Sequence, residues 1–285
     1  MSDAGALTGT LRRPRAIVLG ALAVITLLAW AWLIHLSATM HSAPMPGMPT
    51  MDMSGMDMPG MDMSAMDMDS LAPALEPWTL THGLLLFAMW AVMMVGMMTP
   101  SVTPMVLIYQ RVAHQANAGG HNFASVGWFF CGYLAAWSTF AALATLAQWA
   151  LESATLLSPM MKSSSDDFGG LLLLAAGIYQ WLPMKDACLS HCRAPLVFVQ
   201  QHGGFQASFN GSLRLGFVHG MYCIGCCWAL MALLFVGGVM NILWIAALMV
   251  LVLLEKIVPR AHWLTRIVGI AFCVGGLWLI ARDWV

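Results

Sequence analysis

The sequence predicts an all-α fold: a polytopic membrane helix bundle of about seven transmembrane helices, with its N-terminus cytoplasmic. Three observations carry this prediction. The 285-residue chain is 60% hydrophobic and only 9% charged, with a mean hydropathy of +0.77, whereas soluble domains carry about 25% charged residues. Uncharged apolar runs recur at lengths near the ~20 residues that a helix needs to cross a bilayer. The basic residues fall on alternate connections between those runs. A net charge of −1 excludes a nucleic-acid-binding polycation and a basic surface-bound protein. The spans use up the length, so no separate soluble domain is expected.

Residues 1–36 form an N-terminal tail and the first helix. Arg12-Arg13-Pro14-Arg15 precedes an apolar run over 16–36. A cleaved signal peptide is the rival reading. Its apolar core is usually about 7–15 residues, and no good small-x-small site precedes Pro44, so a retained helix fits better.

Residues 37–77 lack any apolar period and contain a five-residue repeat: Met51-Asp-Met53-Ser-Gly, Met56-Asp-Met58-Pro-Gly, Met61-Asp-Met63-Ser-Ala, Met66-Asp-Met68-Asp. Gly, Pro, Ser and Asp at fixed offsets oppose helix and strand alike. A flexible exposed loop is expected there.

Residues 78–285 supply six further helices as a membrane domain. The second helix covers 78–98 and is expected to kink or break at Thr99-Pro100, with Pro104 close behind. The third covers 125–150 and the fourth 169–183. A polar stretch then leads to 40 uncharged residues, 215–254. That is too long for one span, and Gly237-Gly238 with Asn241 mark a hairpin between a fifth and a sixth helix. The seventh covers 266–280. With seven spans and the N-terminus inside, Arg12, Arg13, Arg15, Arg111, Lys185, Arg193, Arg214, Lys256, Arg260 and Arg266 lie on inner segments. Only Lys162 and Arg282 lie outside, a bias of ten to two among the 12 basic residues. This places the Met repeat outside and the cysteine-rich segments at the inner ends of helices four and five.

The chain has 25 Met, and 11 of them lie between Met40 and Met68. Thioethers are soft ligands that bind without losing a proton, and they suit Cu(I) where thiols would be oxidised. Asp52, Asp57, Asp62, Asp67 and Asp69 add a field that concentrates cations. The bland alternative is a low-complexity linker, but such linkers do not favour Met. Met93 and Met97 on the second helix share a face with His82 and Met89. Because Met93-Met94 and Met97-Met98 put sulfur on two faces, core packing is the better reading of that stripe.

His219, Cys223, Cys226 and Cys227 fall within an arc of roughly 100° on one helical face. Ionisable groups within a span are costly and usually functional, so soft ligands at this spacing point to metal or to thiol redox chemistry. Cys188 and Cys192 flank His191 and stand one turn apart if that stretch is helical. Arg193 beside them would favour a thiolate. Both cysteine segments flank one inner loop and are candidates for one site. Cys131 and Cys273 read as core residues. Glu255 reads as an interfacial partner of Lys256 or Arg260, whose side chains snorkel to water.

Three separated blocks resemble a known family: Trp90-Ala-Val-Met-Met-Val-Gly-Met-Met-Thr-Pro-Ser-Val-Thr-Pro-Met105, Lys185-Asp-Ala-Cys-Leu-Ser-His-Cys-Arg193 and Gly220-Met-Tyr-Cys-Ile-Gly-Cys-Cys-Trp-Ala-Leu-Met231. Asn241 and Glu255-Lys256 fit the same pattern. The resemblance, from about Leu80 onward, is to the bacterial predicted metal-binding integral membrane proteins, long labelled a domain of unknown function. Some members are considered copper chaperones that metallate enzymes such as tyrosinases. The resemblance implies copper as cargo; with the positive-inside bias, the expected place is the bacterial inner membrane, with the Met loop periplasmic or extracellular. It leaves the client and the direction of transfer open, and the Met loop looks like an addition to the shared blocks.

The resulting expectation is a membrane copper chaperone, not an enzyme and with no organic cofactor. It would capture Cu(I) on the Met loop and relay it through the Cys/His site to a client cuproenzyme. The alternatives are a copper transporter, a copper-tolerance protein that sequesters metal, and a membrane thiol-disulfide oxidoreductase using Cys223-x-x-Cys226. The placement of these thiols toward the reducing side counts against the last.

Overall fold

The computed structural model describes residues 3–42, 78–120, 124–157, 165–258 and 262–282. The Met/Asp repeat lies outside the described residues. The elements, all helical, are α1 (Asp3–Ser42), α2 (Leu80–Ala118), α3 (Val126–Ser153), α4 (Asp166–Tyr179), α5 (Pro183–Arg193), α6 (Pro195–Gln201), α7 (Phe209–Ala232), α8 (Leu234–Gly237), α9 (Ile242–Ile257) and α10 (His262–Arg282). All seven predicted helices form. Five stretches are long and apolar enough to cross a membrane: Arg15–Thr39 in α1, α2, α3, Phe209–Gly237 across α7 and α8, and α10. At 14 and 16 residues, α4 and α9 reach only about 21 and 24 Å, short of a ~30 Å hydrocarbon core.

Two boundaries differ from expectation. Helix α2 does not end at Thr99-Pro100 but continues through Pro100 and Pro104 to Ala118. Hydroxyls around the prolines bond nearby carbonyls: Thr99 Oγ1 to Val95 O, Ser101 Oγ to Met98 O and Thr103 Oγ1 to Thr99 O. Such groups help a helix to tolerate proline where water is scarce. Helix α7 starts at Phe209, six residues before the expected position, because Ser208 caps it by accepting from Gly211 N. Cys223 therefore sits near the middle of this helix, not at its end. The hairpin after α8 forms where expected. Gly238 adopts φ +93°, a conformation open to glycine, and Asn241 caps α9 by accepting from Trp244 N.

Helices in lipid associate through close packing, and the contacts here follow that rule. A Cβ on Gly132 would overlap Leu213 O, and one on Gly216 would overlap Phe129 O. The backbones of α3 and α7 thus touch, and the pairing order (Phe129 with Gly216, Ala136 with Gly220) makes the two helices parallel. Helices α4 and α10 are antiparallel, with Gly170 against Gly276 and Gly177 against Gly269. Helices α2 and α3 are also antiparallel. Trp90 Nε1 bonds Gln148 Oε1 near one end and Tyr133 Oη bonds Met98 O further along. Met89, Met93, Met94, Met97, Met98 and Met105 are all buried, since α2 packs against α1, α3 and α9. Enclosure on several sides explains why paired methionines on two faces are both sheltered.

Candidate metal centre

The residues His219, Cys223, Cys226 and Cys227 are all buried on α7, as their helical spacing requires. The thiols of Cys226 and Cys227 both donate to Cys223 O at 3.0 Å. On α5, Cys192 hydrogen-bonds with Cys223 and Cys226. Cys188 packs its sulfur against Gly225, where a Cβ would meet it. The two cysteine segments, separated by some thirty residues of chain, thus meet in one cluster.

The centre of the cluster is the sulfur of Cys223. Lys256 Nζ donates to it across 2.8 Å and to Ser101 Oγ at 3.1 Å. Tyr133 Oη stands 3.1 Å from the same sulfur. Lys256 from α9 and Tyr133 from α3 therefore converge on this sulfur, with Cys192 of α5 beside it, while the two other thiols of α7 bond the carbonyl of the same residue. Lys256 does not snorkel to water. It is the penultimate residue of α9, and the helix end aims it inward against α2 and α7.

Its neighbour Glu255 holds α5 in place. Lys185 and Glu255 are 0% and 1% exposed, and Lys185 Nζ lies 2.7 Å from Glu255 Oε2. Lys185 also bonds Gln180 Oε1. Arg193 Nε and Nη2 donate to the Glu255 carbonyl oxygen at 2.8 and 2.6 Å. One residue of α9 thus fixes both ends of α5, with Cys188 and Cys192 between the two anchors. The expected interfacial pairing of Glu255 with Lys256 or Arg260 is replaced by this buried bridge. Arg193 points at a carbonyl and not at the thiols. The Cys192 thiol is held well above its usual pKa by its hydrogen bonds to Cys223 and Cys226 and then by burial. Cys188 is raised by burial and then by Cys226. Both favour the thiol, the reverse of the sequence expectation.

His219 is ringed by Phe129, Tyr133 and Phe198, with ring centres 5.9, 6.1 and 4.9 Å away. Its Nδ1 has no hydrogen-bond partner among the described residues. His191 stacks on Tyr222 at 4.2 Å. Met93 and Met97 are buried in the α2 core. Met51, Met53, Met56, Met58, Met61, Met63, Met66 and Met68 lie outside the described residues. Cys131 is exposed and Cys273 half-buried, and all seven cysteines are free. Cys131 is thus not the core residue its type suggested. Among the described residues, no three or more His, Cys, Asp or Glu side chains are arranged to hold a metal ion. The cluster is a hydrogen-bonded set of sulfurs with a cation seated on it.

Sequence reasoning missed Lys256, Tyr133 and Ser101, each of which arrives from a different helix. It also missed a polar chain at the far end of α3. There Trp90 Nε1 bonds Gln148 Oε1, Gln148 Nε2 bonds Glu152 Oε1 and Trp78 Nε1 bonds Glu152 Oε2. A buried glutamine in an apolar helix was the available signal.

A helical protein with membrane-length spans and a buried thiol cluster is the class that fold and site define. The family model PpoB2, described as a copper chaperone, matches residues 87–279, and the chain belongs to this family. Membership implies copper handling without a catalytic role. Neither the comparison with curated proteins nor that with solved structures returned a match.

Proposed function

We propose that the protein is an integral inner-membrane copper chaperone that holds Cu(I) on Cys223, Cys226 and Cys192, with Cys227, Cys188 and His219 at the margin. The observation that carries the reading is the convergence of sulfurs from α5 and α7 around Cys223, in a family of copper chaperones. Thiolates select Cu(I), and a d10 cuprous ion is satisfied by fewer ligands than a zinc cage supplies. Copper would arrive from the Met repeat, whose thioethers hold it more loosely, and would leave to a client cuproenzyme. The parallel α3–α7 pair and the antiparallel α2–α3 and α4–α10 pairs agree with the alternation that seven crossings would impose, with α4 and α9 as short members. The ten-to-two distribution of basic residues supports an N-terminus on the inner side.

Purified Cys223→Ser/Cys226→Ser protein is the test. Its copper content under reducing conditions should fall by the equivalents held in the bundle, and copper content equal to wild type would refute the site. A second reading, transport, draws support from the buried Lys185–Glu255 pair and the Trp90–Gln148–Glu152 chain. Charged and polar groups inside a span mark ion paths. Copper uptake into proteoliposomes separates the two readings, since a chaperone without transport leaves the lumen empty.

A further inference from the structure

The thiol cluster has a neighbour built from imidazoles. His191 closes α5 and His202 caps α6, and their ring centres are 6.2 Å apart. His191 Nδ1 lies 2.8 Å from Ala187 O, and His202 Nδ1 lies 2.8 Å from Phe198 O. A carbonyl oxygen only accepts, so each Nδ1 carries the proton. In the neutral imidazole this leaves the Nε2 lone pair as the free ligand position. A backbone carbonyl on the far nitrogen is the usual arrangement behind a metal-ligating histidine. Neither Nε2 is hydrogen-bonded among the described residues.

The spacing suits one ion. A metal held about 2.0 Å from each nitrogen puts two ring centres roughly 5–6.5 Å apart, from bent to linear. Both rings are half-buried, and His202 opens on a cleft of about 250 Å³ shared with Gln206 and Arg214. On the inner side, Phe198 lies 4.4 Å from His202 and 4.9 Å from His219. His219 is the buried imidazole with the unpartnered Nδ1, one turn before Cys223.

We propose that His191 and His202 form a second copper site, an exchange station between the buried thiols and solvent. Imidazole is a harder ligand than thiolate but still binds copper, so the pair holds the ion more loosely and releases it more readily. The identity of the metal rests on the copper-binding reading above, whereas the existence of the site rests on the two histidines alone.

Diethylpyrocarbonate footprinting of the purified full-length protein, read residue by residue by mass spectrometry, tests the site. Cu(I) under anaerobic buffering and Zn(II) serve as separate probes. Modification of His191 and His202 should slow together by about tenfold once free metal reaches ten times its Kd. In His202→Phe, which keeps a ring against Phe198 and Tyr222, His191 should lose its protection. Protection of His191 that survives His202→Phe, or no protection with either ion, overturns the proposal. Protection by Zn(II) but not by Cu(I) keeps the pair as a metal site and overturns its role in copper exchange. Running the same footprint on Cys223→Ser/Cys226→Ser keeps the two claims apart. Protected histidines with unchanged copper content would refute the thiol site and leave the imidazole site standing.

Discussion

Lys256 Nζ lies 2.8 Å from Cys223 Sγ, so the last turn of α9 places a cation on the sulfur where the thiol cluster converges. A cuprous ion bound to Cys223 would compete with that ammonium. Two unit charges 4 Å apart repel by about 4 kcal/mol at an effective dielectric constant near 20, and a third of that is close to tenfold in affinity. Lys256→Met should therefore bind Cu(I) about tenfold more tightly or better, read by competition with a chromophoric Cu(I) chelator. Weaker binding in this variant would mean that Lys256 serves to hold Cys223 ready for metal.

The Lys185–Glu255 bridge should show the asymmetry of buried ion pairs. Removing one partner leaves an uncompensated charge and costs about 3–5 kcal/mol, whereas replacing both with apolar groups is often neutral. Glu255→Gln should unfold well below wild type in a detergent thermal melt, and Lys185→Met/Glu255→Leu should recover most of the difference. Equal losses in the single and double variants would assign the effect to packing of α5.

Gly216 stands where α7 touches the α3 backbone, with no space for a side chain. Gly216→Val must separate the two helices, and overpacking of this kind costs about 1–3 kcal/mol or more. A lowered melting temperature, accompanied by faster alkylation of Cys223, is the expected result. An unchanged melt would show that the α3–α7 contact is looser than its geometry indicates.

Alkaline pH should loosen the α5 attachment. Cys192 is held well above the usual thiol range by hydrogen bonds to Cys223 and Cys226 and by burial. A group whose folded pKa is raised stabilises fully below its unfolded value, about 8.5 for a thiol, and that stability is lost as pH climbs through the folded value. The melting temperature should fall between pH 7.5 and pH 10 in wild type, and fall less in Cys192→Ser.

The helices and the α7 ligand face were legible because both follow from local periodicity. Apolar runs have a length, and His219, Cys223, Cys226 and Cys227 recur on one side of a 3.6-residue turn. Cys188 and Cys192 were legible as a pair for the same reason. Lys256, Tyr133 and Ser101 were not, because their meeting depends on how α9, α3 and α2 pack around α7. A lysine at a helix end reads as solvated until a neighbouring helix closes over it. The partners of Glu255 and Arg193 were misread for the same reason. His191 and His202 are eleven positions apart, close to three helical turns, but the chain breaks at Ala194-Pro195 between α5 and α6, so no continuous helix face joins them. Pro100 and Pro104 misled in the opposite direction, since local rules stop a helix there while the surrounding bundle carries it on.

The polar chain at Trp78 and Glu152 sits at one end of α3, and Ala124 N bonds Ala207 O, just past His202, at the other. The 28 residues of α3 separate these ends by about 42 Å. The Met-bearing stretch rejoins the described chain at Trp78, so it attaches at the face opposite the imidazole pair. On the membrane orientation proposed above, the two ends of α3 face opposite compartments, and a membrane-impermeant label reaching Trp78 from one side should leave His202 untouched.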